Sequence, residues 1–248
     1  DTIAARAPHL MERVAWLNRL PPSFSGVVLG NEVLDAMPVH IVRITETGIE
    51  ESGVKTVDGG AFRWAWRPAA GELLETAREL ELPPGYTTEI ALVARGFVRS
   101  LAEVLERGVA MFIDYGFPRH EYFHPQRATG TLMCHYRHYA HDDPFFLPGL
   151  QDITSHVDFT AIADVGVDAG MALLGYTTQA QFLINCGITD VLSRVPAEDA
   201  GRYLPLANQA NRLLSPAEMG ELFKVIAFGK GYDAPLIGFR SGDRMHTL

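Results

Sequence analysis

Cysteine is nearly absent from this chain of 248 residues: Cys134 and Cys186 are the only two, each in a hydrophobic or aromatic neighbourhood. Two thiols so far apart exclude a disulfide framework or a cysteine-rich zinc site and point to reduced thiols in a reducing compartment. Positive charge is also short, with 21 Lys and Arg against 30 Asp and Glu and a net charge of −9. No nucleic-acid and no membrane partner is therefore expected, whereas a basic substrate would be attracted. No run approaches the roughly 20 apolar residues of a membrane span. The opening residues, DTIAARAPHLMERV, carry neither a signal peptide's apolar core nor an initiator Met, as expected of a piece processed or cut from something longer. Nucleotide signatures are missing too: the chain has no Gly-x-Gly-x-x-Gly, no phosphate loop and no Gly-x-Ser-x-Gly elbow.

What is present is core-forming material, with hydrophobic residues at 47%, enough for one substantial core. Val27 to Leu29 and Val109 to Ile113 are short, β-leaning and free of charge, which predicts parallel strands buried on both faces. Between them Thr88 is expected to cap a helix with Ile90, Val93, Ala94, Phe97, Leu101, Val104 and Leu105 on one face, ending at Gly108. Asp158 predicts a second cap, Thr178 with Gln181 a capping box, and Ser215 with Glu218 another box ahead of the apolar run Phe223 to Phe228. Strands alternating with helices indicate an open α/β sheet in one domain over 1–248. Residues 39–67 interrupt it as an antiparallel β excursion. Residues 117–156 hold six of the nine histidines and read as an ordered loop region over the sheet edge.

In open α/β sheets ligands bind beyond the carboxyl ends of the strands. One such end carries Asn31 and Glu32, followed by Asp35; the other carries Asp114 and Tyr115. Each is also an ordinary turn or cap residue by type. The histidines His120, His124, His135, His138, His141 and His156 include spacings of three or four, but no His-Glu-x-x-His pattern occurs on a helix. Aromatic and histidine packing over the sheet edge accounts for them, and no metal is expected. Trp64 and Trp66 alternate at strand spacing and read as packing residues.

Six strings occur in order: GNEVLDAMPVH (30–40), FIDYG (112–116), GTLMCHYRH (130–138), PGLQDITSHVDFT (148–160), GYTTQAQFL (175–183) and FKVIAFGKG (223–231). Together they resemble the MidA family, S-adenosylmethionine-dependent methyltransferases whose mitochondrial members methylate arginine on a respiratory complex I subunit during assembly. The resemblance implies the class I methyltransferase fold, a Rossmann-like doubly wound sheet. By that pattern the third strand falls at Val14 to Leu17, the fourth at Val27 to Leu29, the fifth at Val109 to Ile113, the sixth at Leu173 to Thr177 and the seventh at Phe223 to Phe228. The first two strands, with half the cofactor cradle, are missing from the chain.

The resemblance also implies roles. Leu17 and Asn18 would lie near the adenine of S-adenosylmethionine, Asn31 and Glu32 at its methionine end. Glu32 and Asp35 are the candidate catalytic carboxylates that bind an acceptor guanidinium; alternatively Glu32 caps the turn while Asn31 alone meets the cofactor. Asp114, Tyr115 and His156 would line the substrate side, with His156 a candidate proton acceptor, and Asp152, His156 and Asp158 would hold the loop cover or recognise the protein substrate, Asp158 being read first as a helix cap. The implied partner is a protein substrate, and a homodimer stays open. The setting would be cytoplasmic in a bacterium and the mitochondrial matrix in a eukaryote. The competing reading is a non-catalytic assembly factor that binds a partner protein.

Overall fold

The period-two alternation of Val109, Met111 and Ile113 against Ala110 and Phe112 gives one strand two apolar faces, and the main sheet is built around it. In the computed structural model, which describes residues 2–137 and 139–248, that strand runs far beyond the apolar run, from Leu105 to Phe117. Asp1 and His138, the latter one of the six clustered histidines, lie outside the described residues.

Helix α1 (Thr2–Arg6) and a 3-10 turn (Pro8–Arg13) precede β1 (Phe24–Asn31). An antiparallel sheet follows, of β2 (His40–Thr45), β3 (Gly48–Thr56), β4 (Phe62–Pro68) and, after α2 (Gly71–Glu79), β5 (Thr87–Ile90), in the order β4-β3-β2-β5. Val42, Ala69, Leu73, Ala77 and Ile90 form its core against α2. Helix α3 (Leu92–Val104) leads directly into β6 (Leu105–Phe117), and α4 (Arg119–Tyr122) follows. Strands β7 (Met133–Tyr136), β8 (Tyr139–His141) and β9 (Asp152–Thr154) form a small sheet, so residues 117–156 hold regular structure as well as loop. Then come β10 (Val157–Asp158), α5 (Phe159–Asp168), β11 (Ala172–Thr178), the helices α6 (Gln179–Asn185), α7 (Ile188–Leu192) and α8 (Ala200–Leu214), and β12 (Phe223–Lys230).

The main sheet has the order β1-β6-β12-β11, with β10 beside the end of β6. β1 and β10 run parallel to β6; β12 is antiparallel to both β6 and β11. Ala94, Val98 and Leu101 of α3 pack with Phe159 and Ile162 of α5 on Phe112, Ile226 and Phe228. Each such side chain contributes about 1.5–3 kcal/mol by leaving water. The other face is covered by Phe182 and Phe239 on Val109, Val225 and Ala227.

Several expectations are corrected. Val14 to Leu17 is not a strand: Val14 is extended, but among the described residues no neighbouring strand supplies a ladder. β1 is not buried on both faces, because among the described residues it is the edge strand of the sheet, with Val27 and Leu29 74% and 67% exposed. Thr88 pairs with Val42 inside β5, and α3 begins after Ala91. Gly108 does not end that helix; it sits in β6 at φ +148°, where a Cβ would come within 1.8 Å of the Gly26 carbonyl oxygen. Ser215 ends α8 instead of opening a helix: its amide donates to the Asn211 carbonyl. The caps at Asp158 and Thr178 are present, accepting from the Ala161 and Gln181 amides. Cys134 is buried and Cys186 exposed, and both are free thiols.

Candidate functional site

Parallel pairing of β1 with β6 brings Asn31 opposite Ile113, so the two strands end together and their exits share one space. The turn after β1 is fixed from below. Asp114 Oδ2 accepts from the amides of Val33 and Leu34 at 3.1 and 2.9 Å, and the Glu32 amide donates to the Ile113 carbonyl at 2.9 Å. Glu32 itself takes a left-handed conformation, φ +51°, which for a residue with a Cβ is held only by such surroundings. Its carboxylate is exposed and accepts from Asn31 Nδ2 at 3.2 Å.

The same turn carries Asp35 inward, 3% exposed, with Oδ1 lacking a hydrogen-bond partner among the described residues. Its backbone carbonyl accepts from the Ser155 amide at 3.1 Å, which fastens the turn to the strand leading into β10. Burial, then the negative charge of Asp35, push the Asp114 carboxyl up to about 7 against the pull of the Leu34 and Val33 amides. Burial and a hydrogen bond with Asp35 hold the Tyr115 hydroxyl well above the ordinary phenol range. His156 is pushed down to about 4, first by burial and then by the charges of Arg127 and Lys224. It packs edge-on to Tyr115 and Phe117 at 5.3 and 5.2 Å. Gly116 makes that proximity possible: a Cβ there would lie 2.1 Å from the Val157 carbonyl oxygen, so only glycine lets β10 run beside β6.

Glu32, Asp35, Tyr115, Thr131, His156 and Phe223 all border one open cavity of about 1270 Å³. Of the residues expected at the cofactor and substrate, Leu17, Asn18, Asn31 and Asp114 do not line it. Asp114 lies beneath its floor as a brace for the turn, because a carboxylate on the core face of β6 is sealed under the backbone it bonds. Asn31 is at the strand end outside the lining, and Leu17 and Asn18 stand in the irregular segment before β1, Leu17 being 69% exposed. Lowered in this way, His156 is neutral at pH 7 and a weaker base than an ordinary imidazole. Asp152 borders the cavity. Asp158 is the cap of α5, with Oδ2 3.9 Å from Arg119 Nε.

The sequence reading passed over Glu89. It is 4% exposed at the end of β5 and accepts from four donors: the Thr131 and Leu132 amides, Thr131 Oγ1 and, at 3.3 Å, the Tyr122 hydroxyl. This carboxylate holds the 130–132 wall of the cavity to the antiparallel sheet of β2 to β5. Its signal was a lone acid among the apolar and β-branched residues of TTEI. Lys224 on β12 is buried as well, donating to the Glu221 and Leu222 carbonyls, and burial lowers its pKa. Behind His156 an enclosed cavity of about 20 Å³ is bordered by Arg95, His156 and Asp158, whose Nε, Nδ1 and Oδ2 atoms have no hydrogen-bond partner among the described residues; one water fits such a space. No group of three or more His, Cys, Asp or Glu among the described residues has the arrangement to hold a metal ion. No helix among them is long and apolar enough to cross a membrane.

Residues 1–177 match the family described as "Putative S-adenosyl-L-methionine-dependent methyltransferase". A solved structure from Burkholderia thailandensis, described as a "likely methyl transferase" bound to S-adenosyl-homocysteine, is 57% identical and superimposes with a TM-score of 0.94 over 100% of this chain and 64% of its own. A second solved structure from the same organism gives 57% and 0.95, over 100% of this chain and 66% of its own. The Drosophila melanogaster "Protein arginine methyltransferase NDUFAF7 homolog, mitochondrial" is 29% identical over 95% of this chain and 57% of its own length. The Danio rerio "Protein arginine methyltransferase NDUFAF7, mitochondrial" is 29% identical over 83% and 47%. The chain thus spans about half the length of these curated relatives.

Proposed function

The chain belongs to this family of S-adenosyl-L-methionine-dependent methyltransferases, and on that premise we propose that the cavity at the ends of β1 and β6 receives the guanidinium of a protein arginine for N-methylation. The observation that carries the proposal is the convergence of Glu32, Asp35, Tyr115 and His156 on one open space. The names of the fly and zebrafish relatives support arginine as the acceptor. The chain's net charge of −9 favours a basic segment as its source.

The cofactor carries a sulfonium and an ammonium, so its site must offer acceptors and tolerate positive charge. Asn31 and Glu32 fit that demand, an amide oxygen and a carboxylate tied to each other at the strand end and both open to solvent. Leu17 and Asn18 are the residues proposed beside the adenine. When bound, S-adenosylmethionine supplies an electrophilic methyl group; catalysis is then chiefly alignment of the attacking nitrogen.

The chain's own carboxylates serve that alignment. A guanidinium is planar, cationic and delocalised, and a carboxylate that accepts two of its N–H groups fixes its plane and draws charge away from the free nitrogen. Glu32, rigid in its left-handed turn, has that role, and Asp35 faces the same cation from the buried side with Oδ1 available as an acceptor. Asp114 takes part only by bracing the turn that carries both. One proton leaves the attacking nitrogen, first for a carboxylate oxygen and then for water, and the product keeps its charge. A neutral His156 adds no competing cation to this wall, and with Tyr115 it supplies flat apolar surface for the guanidinium plane.

The test is Glu32→Gln in the longest natural form of the chain, with cofactor binding followed by calorimetry and transfer followed by tritiated methyl incorporation into arginine peptides. Turnover at saturating cofactor should fall by about two orders of magnitude or more, a larger loss than any change in cofactor affinity. An active Glu32→Gln enzyme would sink the guanidinium role.

A further inference from the structure

Beside Asp35 a second groove of about 540 Å³ adjoins the large cavity, with Asp35, Ala36, Leu132, Ile153 and Thr154 bordering both. That volume is within the range, about 300–1,000 Å³, of sites that take small ligands. Its chemistry differs sharply from that of the cavity it joins. The large cavity is bordered by charged groups of both signs, including Glu32, Asp35, Arg127 and Asp152. Beyond Asp35 the groove has no charged side chain; its far wall is Val54, Phe62 and Trp64 on β3 and β4, closed by Phe145 from the loop before β9. Phe145 stands 4.8 Å from Trp64 and 6.3 Å from Phe62, centroid to centroid. These rings are not sealed core: Trp64 remains 39% exposed, and Val54 and Phe62 are more open still. The Ser52 hydroxyl, buried and without a partner among the described residues, also borders the groove and can bond a ligand's backbone.

Carboxylates on one side of that shared rim and aromatic rings on the other suit a ligand with a cationic group and an apolar group on a short tether. We infer that the groove is the subsite for a large apolar side chain, aromatic or branched, lying a fixed few residues from the acceptor arginine in an extended stretch of the protein substrate. This rests on the arginine reading above and narrows it: free arginine, or arginine flanked only by glycine, leaves the groove unused. The groove therefore sets which arginines are bound, whereas Glu32 and Asp35 act on any guanidinium that arrives.

The inference is tested by binding, apart from turnover. Peptides of the form acetyl-Arg-(Gly)n-Phe-amide, with n from zero to four, are titrated calorimetrically into the longest natural form of the chain saturated with S-adenosylhomocysteine, beside counterparts with Ala for Phe and citrulline for Arg. At one spacing the Phe peptide should bind roughly tenfold or more tightly than its Ala counterpart, as burial of an aromatic ring gives. In Trp64→Ala that gain should shrink to less than about twofold; Phe145→Ala, on a loop, serves as the second variant should the strand substitution unfold the protein. Equal binding of Phe and Ala peptides at every spacing overturns the inference, as does failure of all of them to bind or a gain that survives both variants. A Phe gain with citrulline bound as well as arginine leaves the groove standing and overturns the arginine reading, so the two failures are told apart.

Discussion

Two buried carboxylates flank the cavity and differ in how their oxygens are satisfied. Glu89 accepts from four donors on the 130–132 wall and Tyr122 and has no oxygen left for a ligand. Asp35 is as deeply buried yet keeps Oδ1 without a partner and stands against Asp114, whose proton affinity it raises. Full satisfaction marks a residue that holds structure; an acceptor kept spare beside a like charge is what the guanidinium role proposed for Asp35 requires. Depth of burial alone would have put the two in one class.

The sharpest way to break this contrast is Asp35→Asn. Methyl transfer, read as kcat/KM with an arginine peptide, should fall by about a hundredfold or more, while the urea midpoint moves little because the carboxylate has a spare oxygen and loses a repulsive neighbour. A midpoint drop as large as that of Glu89→Ala would erase the distinction.

Glu89→Ala should cost about 2–4 kcal/mol in urea unfolding, since it strands two amides and two hydroxyls in the interior. Cofactor affinity should remain within a few-fold, because Asn31 ends β1 and Glu32 is in the turn after it, both apart from β5.

The effect of pH is next in size. The Asp114 carboxyl is raised from about 3.8 to about 7, so between those values the folded state holds a proton that the unfolded state has lost, and stability falls as pH rises. His156, lowered from 6.5 to about 4, acts oppositely: below pH 6.5 the unfolded state gains a proton that the folded state refuses, so stability rises with pH from 4 to 6.5. The two slopes largely cancel in the wild type. In Asp114→Asn the melting temperature should climb between pH 4.5 and 6.5, on the order of 1 kcal/mol per pH unit at most. A flat profile in that variant would contradict the burial of His156. The smallest change belongs to the open strand: Val27→Thr, at a side chain mostly in solvent, should shift stability by under about 0.5 kcal/mol.

Much of the fold was legible in local pattern. The Asp158 and Thr178 caps were readable because a cap needs only a hydroxyl or carboxylate and an amide three residues on, all within one turn. The apolar run at Phe223 became β12, where every residue up to Gly229 is buried. Thr88 misled because threonine serves equally as a helix cap and in a strand, and only the presence of β2 beside it settled the choice. Gly108 misled in the same way: a glycine after an amphipathic run reads as a helix end, yet its reason lies in Gly26, remote in sequence and close in space. Of the candidate site, Glu32, Asp35, Tyr115 and His156 share a cavity, whereas Asp114, next in sequence to Tyr115, points to the opposite face, as alternation in a strand requires.

The sequence by itself determined the strand cores at Val109 and Phe223, the caps at Asp158 and Thr178, the acidic charge and the residues at the strand ends, because these depend on side chains within a turn or two of one another. Tertiary structure alone decided which carboxylate is satisfied and which is spare, that His156 stays neutral, and that an aromatic groove opens beside Asp35. Each of those depends on donors, charges and rings brought from distant segments, and on the water that their packing excludes.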